Sequence, residues 1–200
     1  DFQRKVKEFI KEMPARLKEY HEVFSGNVIA QNRLKGVGFL SREDAINYGV
    51  TGPSGRGSGW ACDVRKRSPY AAYDKVQFDE VLYNEGDSYA RYMVRMKEIE
   101  QSLHILEQLV DNIPEGDYLA KTKPIIKVPE GRYFKEVEAA RGAFGIYLES
   151  RGDKFPYRLK VNSPGFNLVG AVDHMTRGSK IADLIAIGGS LDYVVPDIDR

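Results

Sequence analysis

The sequence predicts an α+β fold that is mainly helical and contains a small antiparallel β-sheet. Apolar residues spaced three and four apart form a long stripe over residues 92–110, which is the pattern of a helix. Apolar and polar residues alternate over 144–148 and 157–161, which is the pattern of strands. With 200 residues and 42% hydrophobic composition, the chain can bury a core as a single domain.

The first predicted element is a helix over residues 1–25. Val6, Phe9, Ile10, Met13 and Leu17 recur at helical spacing. Gly26 follows the pattern and is expected to end the helix.

Residues 36–80 form a glycine-rich basic segment. The glycines concentrated in residues 36–59 predict tight turns there, with no central strand and no helix apart from a short one over 41–48. That short helix is predicted because Ser41 and Asp44 resemble a capping box. Residues 52–58 lack the lysine that a phosphate-binding P-loop requires. The candidate docking residues for a partner are Arg56, Arg65, Lys66 and Arg67. The same patch could instead face an anionic cofactor or solvent.

The apolar stripe predicts a long helix within residues 86–112, from about Ser88 to Asn112, followed by a proline-containing loop over 113–132. Residues 143–162 are predicted to be a β-hairpin that turns at Gly152-Asp153 and packs its apolar face on the core. A last helix is predicted over 171–187, ended by Gly188-Gly189, and the unit 171–200 closes with a short tail.

Composition excludes several classes of function. The net charge of +1 does not favour a nucleic-acid partner, and no apolar stretch is long enough to span a membrane. Cys62 is the only cysteine, so an intrachain disulfide is impossible, and we expect a buried structural thiol. The three histidines are far apart and predict no metal site. The chain lacks an initiator Met, so we expect a fragment of a longer protein or a processed chain.

Several segments together resemble one family in their order and spacing. They are Gly36-Val-Gly-Phe-Leu-Ser41, Thr51-Gly-Pro53, Asp63-Val-Arg-Lys66, Gly86-Asp87, Arg91-Tyr92 with Arg95 and Glu98, Val137-Glu-Ala-Ala-Arg-Gly142, Pro156-Tyr-Arg158, His174-Met and Gly189-Ser-Leu-Asp192. This pattern is similar to the C-terminal half of the 49-kDa-type (D) subunit of proton-pumping NADH:quinone oxidoreductase (respiratory complex I). The 49-kDa-type subunit is related to the large subunit of nickel–iron hydrogenases, so the resemblance implies a helical bundle like that of the hydrogenase subunit.

The resemblance implies that the hydrogenase metal centre is absent. Val194 and Asp197 stand where the hydrogenases place metal-ligating cysteines, and soft metals need those sulfurs. The chain is therefore expected to bind no cofactor, with quinone as substrate and with NADH, FMN and iron–sulfur clusters bound by partner subunits.

By the same resemblance, Asp192, Val194 and Arg141 lie at the quinone pocket. Arg200 lies near the terminal tetranuclear iron–sulfur cluster of a neighbouring subunit. The family's quinone-contacting His and Tyr would belong to a preceding half, so no catalytic residue is assigned within this chain and the isolated chain is expected to be inactive. Asp192 could alternatively only cap the tail after Gly188-Gly189.

The resemblance implies an electron-transfer protein that couples quinone reduction to proton translocation. It would be peripheral on the cytoplasmic face of the membrane, or on the matrix side in mitochondria, and would contact the membrane arm of the complex. Two alternatives stay open at this point. The chain could serve a related dehydrogenase that receives electrons from a reduced deazaflavin, or it could be a non-catalytic domain that docks other subunits.

Overall fold

The structure, a computed structural model, describes residues 1–198. The helices are α1 (Phe2–Tyr20), α2 (Val28–Leu34), α3 (Arg42–Tyr48), α4 (Gly52–Arg56), α5 (Val64–Arg67), α6 (Ser88–Leu109), α7 (Pro164–Gly170), α8 (Val172–Thr176) and α9 (Ile181–Leu191). The strands are β1 (Gly131–Ala139), β2 (Gly142–Ser150) and β3 (Arg158–Asn162). A π-helical turn (His21–Ser25) continues α1, and a 3₁₀ turn (Val195–Asp197) follows α9. The prediction of a mainly helical α+β fold is confirmed.

Helix α6 is the longest element and packs against α1, α2, α4 and α9. Its first turn is capped by Asp87, whose Oδ1 accepts a hydrogen bond of 2.7 Å from the Ala90 amide. Its apolar stripe packs against α1, where Met96 and Leu103 bury Leu17. The predicted long helix is therefore confirmed, and it ends at Leu109, three residues earlier than expected.

The largest core cluster joins the glycine-rich segment to the C-terminal helices. Leu40 and Val50 from the segment are buried with Leu168, Ile187 and Leu191. Helix α3 begins as predicted, because the Ser41 hydroxyl accepts a hydrogen bond of 3.0 Å from the Asp44 amide.

The expectation that no other helix lies in residues 36–59 is wrong, because residues 52–56 form the short helix α4. Residues 64–67, further along the basic segment, form α5. Pro53 lies in the first turn of α4, where its fixed φ and missing N–H are favourable. Asp63 starts α5, since its carboxylate accepts a hydrogen bond from the Arg65 amide.

The sheet has the order β1-β2-β3 and is antiparallel throughout. The predicted hairpin over 143–162 is confirmed, with Leu148 opposite Leu159. Strand β1 was not predicted, and it adds Lys135 opposite Ile146. Because charged residues interrupt the alternation in β1, period alone does not reveal it.

The prediction that the hairpin packs its apolar face on the core is wrong. Ile146 is 40% exposed and Leu159 is 56% exposed. The sheet packs against α4 and α5 with its other face, which carries Glu138 and Ala143 as a cross-strand pair.

The single helix predicted over 171–187 is also wrong, because the chain breaks into α8 and α9. Gly178 adopts a left-handed φ of 77° between them. The Lys180 amide donates to Asp183 Oδ2 at 3.1 Å, which starts α9. Gly188 and Gly189 do not end α9 and lie inside it, since the helix runs to Leu191.

Candidate functional site

The C-terminal turn, which we define as residues 190–194, contains the last two residues of α9, its C-cap Asp192 and the two residues that follow. Asp192 has φ 57° and ψ 36°, a left-handed conformation that aspartate tolerates better than most residues. Its amide donates to the Gly188 carbonyl at 3.2 Å and so closes the helix. Beyond it, Val194 is extended and half-buried. The turn thus redirects the chain and presents Asp192 and Val194 in succession.

Arg141 contacts Asp192 directly. Arg141 Nε donates to the Asp192 carbonyl at 2.6 Å, and Arg141 Nη2 lies 3.6 Å from Asp192 Oδ1. The Arg141 side chain is 30% exposed and the Asp192 side chain 47% exposed, so this ion pair faces an accessible surface. The structure therefore brings together two of the three predicted quinone-pocket residues, and Val194 lies two positions along the chain.

The position of the Arg141 backbone is fixed by close packing between Gly52 and Gly142. Arg141 precedes Gly142 in the turn between β1 and β2, and Gly142 has a φ of 137°. A Cβ on Gly52 would lie 2.5 Å from the Gly142 Cα and 2.6 Å from the Arg141 carbonyl, so side chains are excluded at this approach. The Ala143 amide also donates to Thr51 Oγ1 at 2.9 Å.

Two further arginines, both on α6, hold the C-terminal turn from the other side. Arg91 Nε donates to the Ser190 hydroxyl at 2.9 Å. Arg95 Nη2 donates to the Leu191 carbonyl at 3.4 Å. Burial lowers the pKa of both guanidinium groups. Arg91 and Arg95 belong to the motifs that carry the family resemblance, but sequence reasoning assigned them no role.

The C-terminal turn is consequently rich in positive charge. Arg91, Arg95 and Arg141 each donate to one of three consecutive residues. Asp192 supplies the carboxylate among those three residues and is partly exposed. Such a surplus favours a ligand that carries or develops negative charge.

The Arg56 cluster, formed by Arg56, Asp63, Arg65, Glu98 and Glu138, has a different character. Arg56 is 1% exposed. Its Nε lies 2.6 Å from Glu98 Oε1, and its Nη1 lies 2.7 Å from Glu138 Oε1. Burial alone would lower the pKa of Arg56, but these two carboxylates outweigh burial and raise it above its ordinary value. The expectation that Arg56 docks a partner is therefore corrected, because Glu98 and Glu138 of the same chain neutralise its charge.

The remaining basic residues of this segment differ in accessibility. Arg65 is mostly buried and pairs with Asp63 at 2.6 Å. Lys66 and Arg67 are exposed, with Lys66 Nζ 4.1 Å above the Phe78 ring and Arg67 paired with Glu136. Docking of a partner by Lys66 and Arg67 stays a prediction. Arg200, predicted to lie near an iron–sulfur cluster, falls outside the described residues.

The described residues, 1–198, support neither metal ligation nor membrane spanning. No group of three or more His, Cys, Asp or Glu side chains in this range could hold a metal ion. Within the same range no helix is both long and apolar enough to cross a membrane. Cys62 is buried, and burial raises the pKa of its thiol to about 12.

Comparison with known proteins identifies the family. The family described as respiratory-chain NADH dehydrogenase, 49 Kd subunit, matches residues 1–127 and 120–200. The chain belongs to this family. The resemblance to the 49-kDa-type subunit is thereby confirmed, and the C-terminal turn is a feature of a 49-kDa subunit region.

Individual relatives agree with the family. The C/D subunit of NADH-quinone oxidoreductase from Phocaeicola vulgatus is 68% identical over 200 residues, which are all of this chain and 38% of that protein. The D subunit of the same enzyme from Desulfotalea psychrophila is 51% identical over 98% of this chain and 53% of its own length. The D subunit from Bacillus cytotoxicus is 44% identical over 98% of this chain and 54% of its own length. The chain thus spans about half the length of these D subunits.

Proposed function

We propose that this chain forms one wall of the quinone-reduction site of an NADH:quinone oxidoreductase, beside an iron–sulfur cluster that a neighbouring subunit holds. The observation that carries the proposal is the contact of Arg141 with Asp192 at the left-handed end of α9. This contact lies in the segment where the family resemblance puts the quinone headgroup. Electron transfer there would be coupled to proton translocation by the complex.

The chemistry of quinone reduction suits the charge of the C-terminal turn. A quinone becomes a quinol by taking up two electrons and two protons, and negative charge develops on its carbonyl oxygens before protonation. Guanidinium groups beside the site stabilise that charge. The half-buried Val194 offers apolar surface to the ring. Arg141 would therefore favour the reduced headgroup, while Asp192 orients Arg141.

Partner subunits would supply the other parts of the reaction. NADH, FMN and the iron–sulfur clusters are assigned to them, and the membrane arm would carry proton translocation. Arg200 would lie near the terminal cluster, where positive charge favours the reduced state. The relatives are named NADH-quinone oxidoreductase, which supports NADH over a deazaflavin as donor. The peripheral arm would lie on the cytoplasmic face of the membrane.

A docking role is the second candidate, and it has its own observation. The apolar face of the sheet is exposed at Ile146 and Leu159. A second exposed surface carries the basic residues Lys66 and Arg67. These surfaces could contact other subunits while the C-terminal turn serves the quinone. The two roles are separable, because they rest on different residues.

Substitution of Val194 tests the quinone-site proposal. In membranes with matched complex content, Val194→Met is expected to weaken a quinone-site inhibitor about tenfold, since overpacking costs about 1–3 kcal/mol and 1.4 kcal/mol is tenfold in affinity. The control is Ile181→Met, because Ile181 is 92% exposed and lies at the start of α9, at the opposite end of the helix from Asp192. An unchanged inhibitor midpoint for Val194→Met would mean that the C-terminal turn does not line the pocket.

Substitution of Asp192 separates its proposed role in orienting Arg141 from the binding of an inhibitor at the quinone site. Asn tolerates the left-handed conformation, so Asp192→Asn should keep the turn but remove the charge that pairs with Arg141. Turnover with a quinone is expected to fall several-fold, with a smaller change in the inhibitor midpoint. A variant with full turnover would leave Asp192 only the capping role.

A further inference from the structure

We infer that Arg95 is a positioning residue for the proposed quinone site, holding the end of α9 against α6 so that Asp192 and Val194 keep their places. This inference rests on the proposed function, because it concerns the same C-terminal turn. It adds a residue on α6 to a site otherwise built from the β1–β2 turn and the tail.

The hydrogen bonds of Arg95 connect the two helices. Arg95 Nη1 donates to the Arg91 carbonyl at 3.0 Å, within α6. Arg95 Nη2 reaches across to the Leu191 carbonyl at 3.4 Å. Leu191 is the last residue of α9, where carbonyl groups lack helical partners and the helix dipole is negative. A guanidinium group at this point therefore stabilises the helix end from which the turn starts.

The charge of Arg95 is directed at the turn. Both hydrogen bonds that the Arg95 side chain donates within the described residues run to backbone carbonyls. The two carboxylates that act on it electrostatically are Asp192 first and Glu98 second. Glu98 is already engaged by Arg56 at 2.6 Å. Asp192 therefore attracts Arg95 more strongly than Glu98 does, and it is the residue that Arg141 holds from the opposite side.

Arg91 provides the rigid base for this arrangement. It is fully buried and donates to Ser190 and also to the Gly38 and Gly86 carbonyls. Removing it would leave several buried acceptors without a donor, so its substitution would test folding rather than positioning. Arg95 is half-buried and lines a cavity of about 260 Å³ together with residues of α9, so replacing it by the smaller side chain of methionine introduces no steric overlap.

The experiment compares Arg95→Met and Arg95→Lys in the intact complex in membranes, with Lys97→Met as the control on the same helix. Lys97 is partly exposed and pairs only locally with Glu100. The measurements are KM and kcat for a short-chain quinone per assembled complex, reduction of an artificial acceptor upstream of the quinone, and hydrogen exchange of the peptide covering 188–198.

Arg95→Met is expected to raise the quinone KM about tenfold with a smaller change in kcat and in upstream reduction. Amide exchange should become faster in the 188–198 peptide and stay unchanged in α1. Arg95→Lys keeps the charge and should recover part of the KM. Lys97→Met should resemble the unmodified complex.

The inference is overturned if Arg95→Met leaves both the KM and the 188–198 exchange unchanged. It is equally overturned if Arg95→Met lowers complex content while the KM per assembled complex stays normal in Arg95→Met and Arg95→Lys, since Arg95 would then serve folding alone. When Val194→Met weakens the inhibitor but Arg95→Met has no effect, this inference fails and the proposed function stands. When Val194→Met also has no effect, the proposed function fails.

Discussion

The Arg56 cluster and the C-terminal turn use arginine in opposite ways. In the cluster, one guanidinium group of Arg56 meets two carboxylates, those of Glu98 and Glu138, at 2.6 and 2.7 Å, and all three are largely buried. In the turn, Arg91 and Arg95 donate to a hydroxyl and to backbone carbonyls, and within residues 1–198 Arg141 is the one of the three that forms an ion pair with a carboxylate. Both regions contact α6, and Glu98 lies one turn after Arg95.

The difference indicates where function can lie. A buried cation that is fully paired has no capacity left for a ligand, and its role is to fix the elements that carry its partners. The Arg56 cluster accordingly joins α4, α6 and β1. At the C-terminal turn, Arg91 and Arg95 donate to neutral oxygens, and the Arg141–Asp192 pair beside them is partly exposed, so positive charge lies next to an accessible surface. Composition alone does not separate the two, since both are basic stretches.

Breaking the Arg56 cluster should have the largest effect. Arg56→Met leaves the buried Glu138 without its cation, which typically costs about 3–5 kcal/mol. We expect the chain to fail to accumulate in assembled complex, as measured by immunoblot of membranes. Arg16→Met is the matched control, because the Arg16–Glu19 pair is exposed and such pairs contribute about 0–1 kcal/mol. Normal assembly of Arg56→Met would show that the cluster is dispensable.

The link between the two regions can be broken at Gly52, which starts α4 and touches Arg141. Gly52→Ala combines a left-handed φ with a backbone clash at Gly142, so we expect a loss of about 2–4 kcal/mol together with weaker quinone-site inhibition. Gly178→Ala shares the positive φ but meets nothing within 4 Å, and should cost only about 1–2 kcal/mol. Thermal inactivation of the complex measures both. Equal losses would mean that the Gly52–Gly142 contact is not tight.

Alkylation of the Cys62 thiol measures whether solvent reaches the protein interior beside the Arg56 cluster, and here we expect the smallest effect. Burial raises its pKa to about 12, against about 8.5 in an unfolded chain. Between these values only the folded form keeps the proton, so the unfolding free energy falls as pH rises through that window. Alkylation at pH 8 should be slow in the native complex and fast after denaturation. Rapid stoichiometric labelling of the native protein would show that this region opens.

The sequence by itself determined the elements whose signals are local. The stripe of Met96 and Leu103 specifies α6, the Ser41 cap specifies the start of α3, and the alternation around Leu148 specifies the hairpin. The family motifs also pointed to Asp192 and Arg141, which the structure brings into contact. Each of these depends on neighbouring residues or on a pattern that the residue types carry directly.

Only the tertiary structure decided which charges are available. The sequence places Arg56 in the same basic segment as Lys66, yet Arg56 is buried because Glu98 and Glu138 reach it from 42 and 82 positions away. In the sequence pattern, Arg95 is one of several polar residues of an amphipathic helix. Its specific role appears only in the folded chain, where α9 places the Leu191 carbonyl within hydrogen-bonding distance. The exposed face of the hairpin follows from the packing of Glu138 and Ala143 on the opposite side. Partner and burial are properties of pairs distant in the chain, so residue types alone do not encode them.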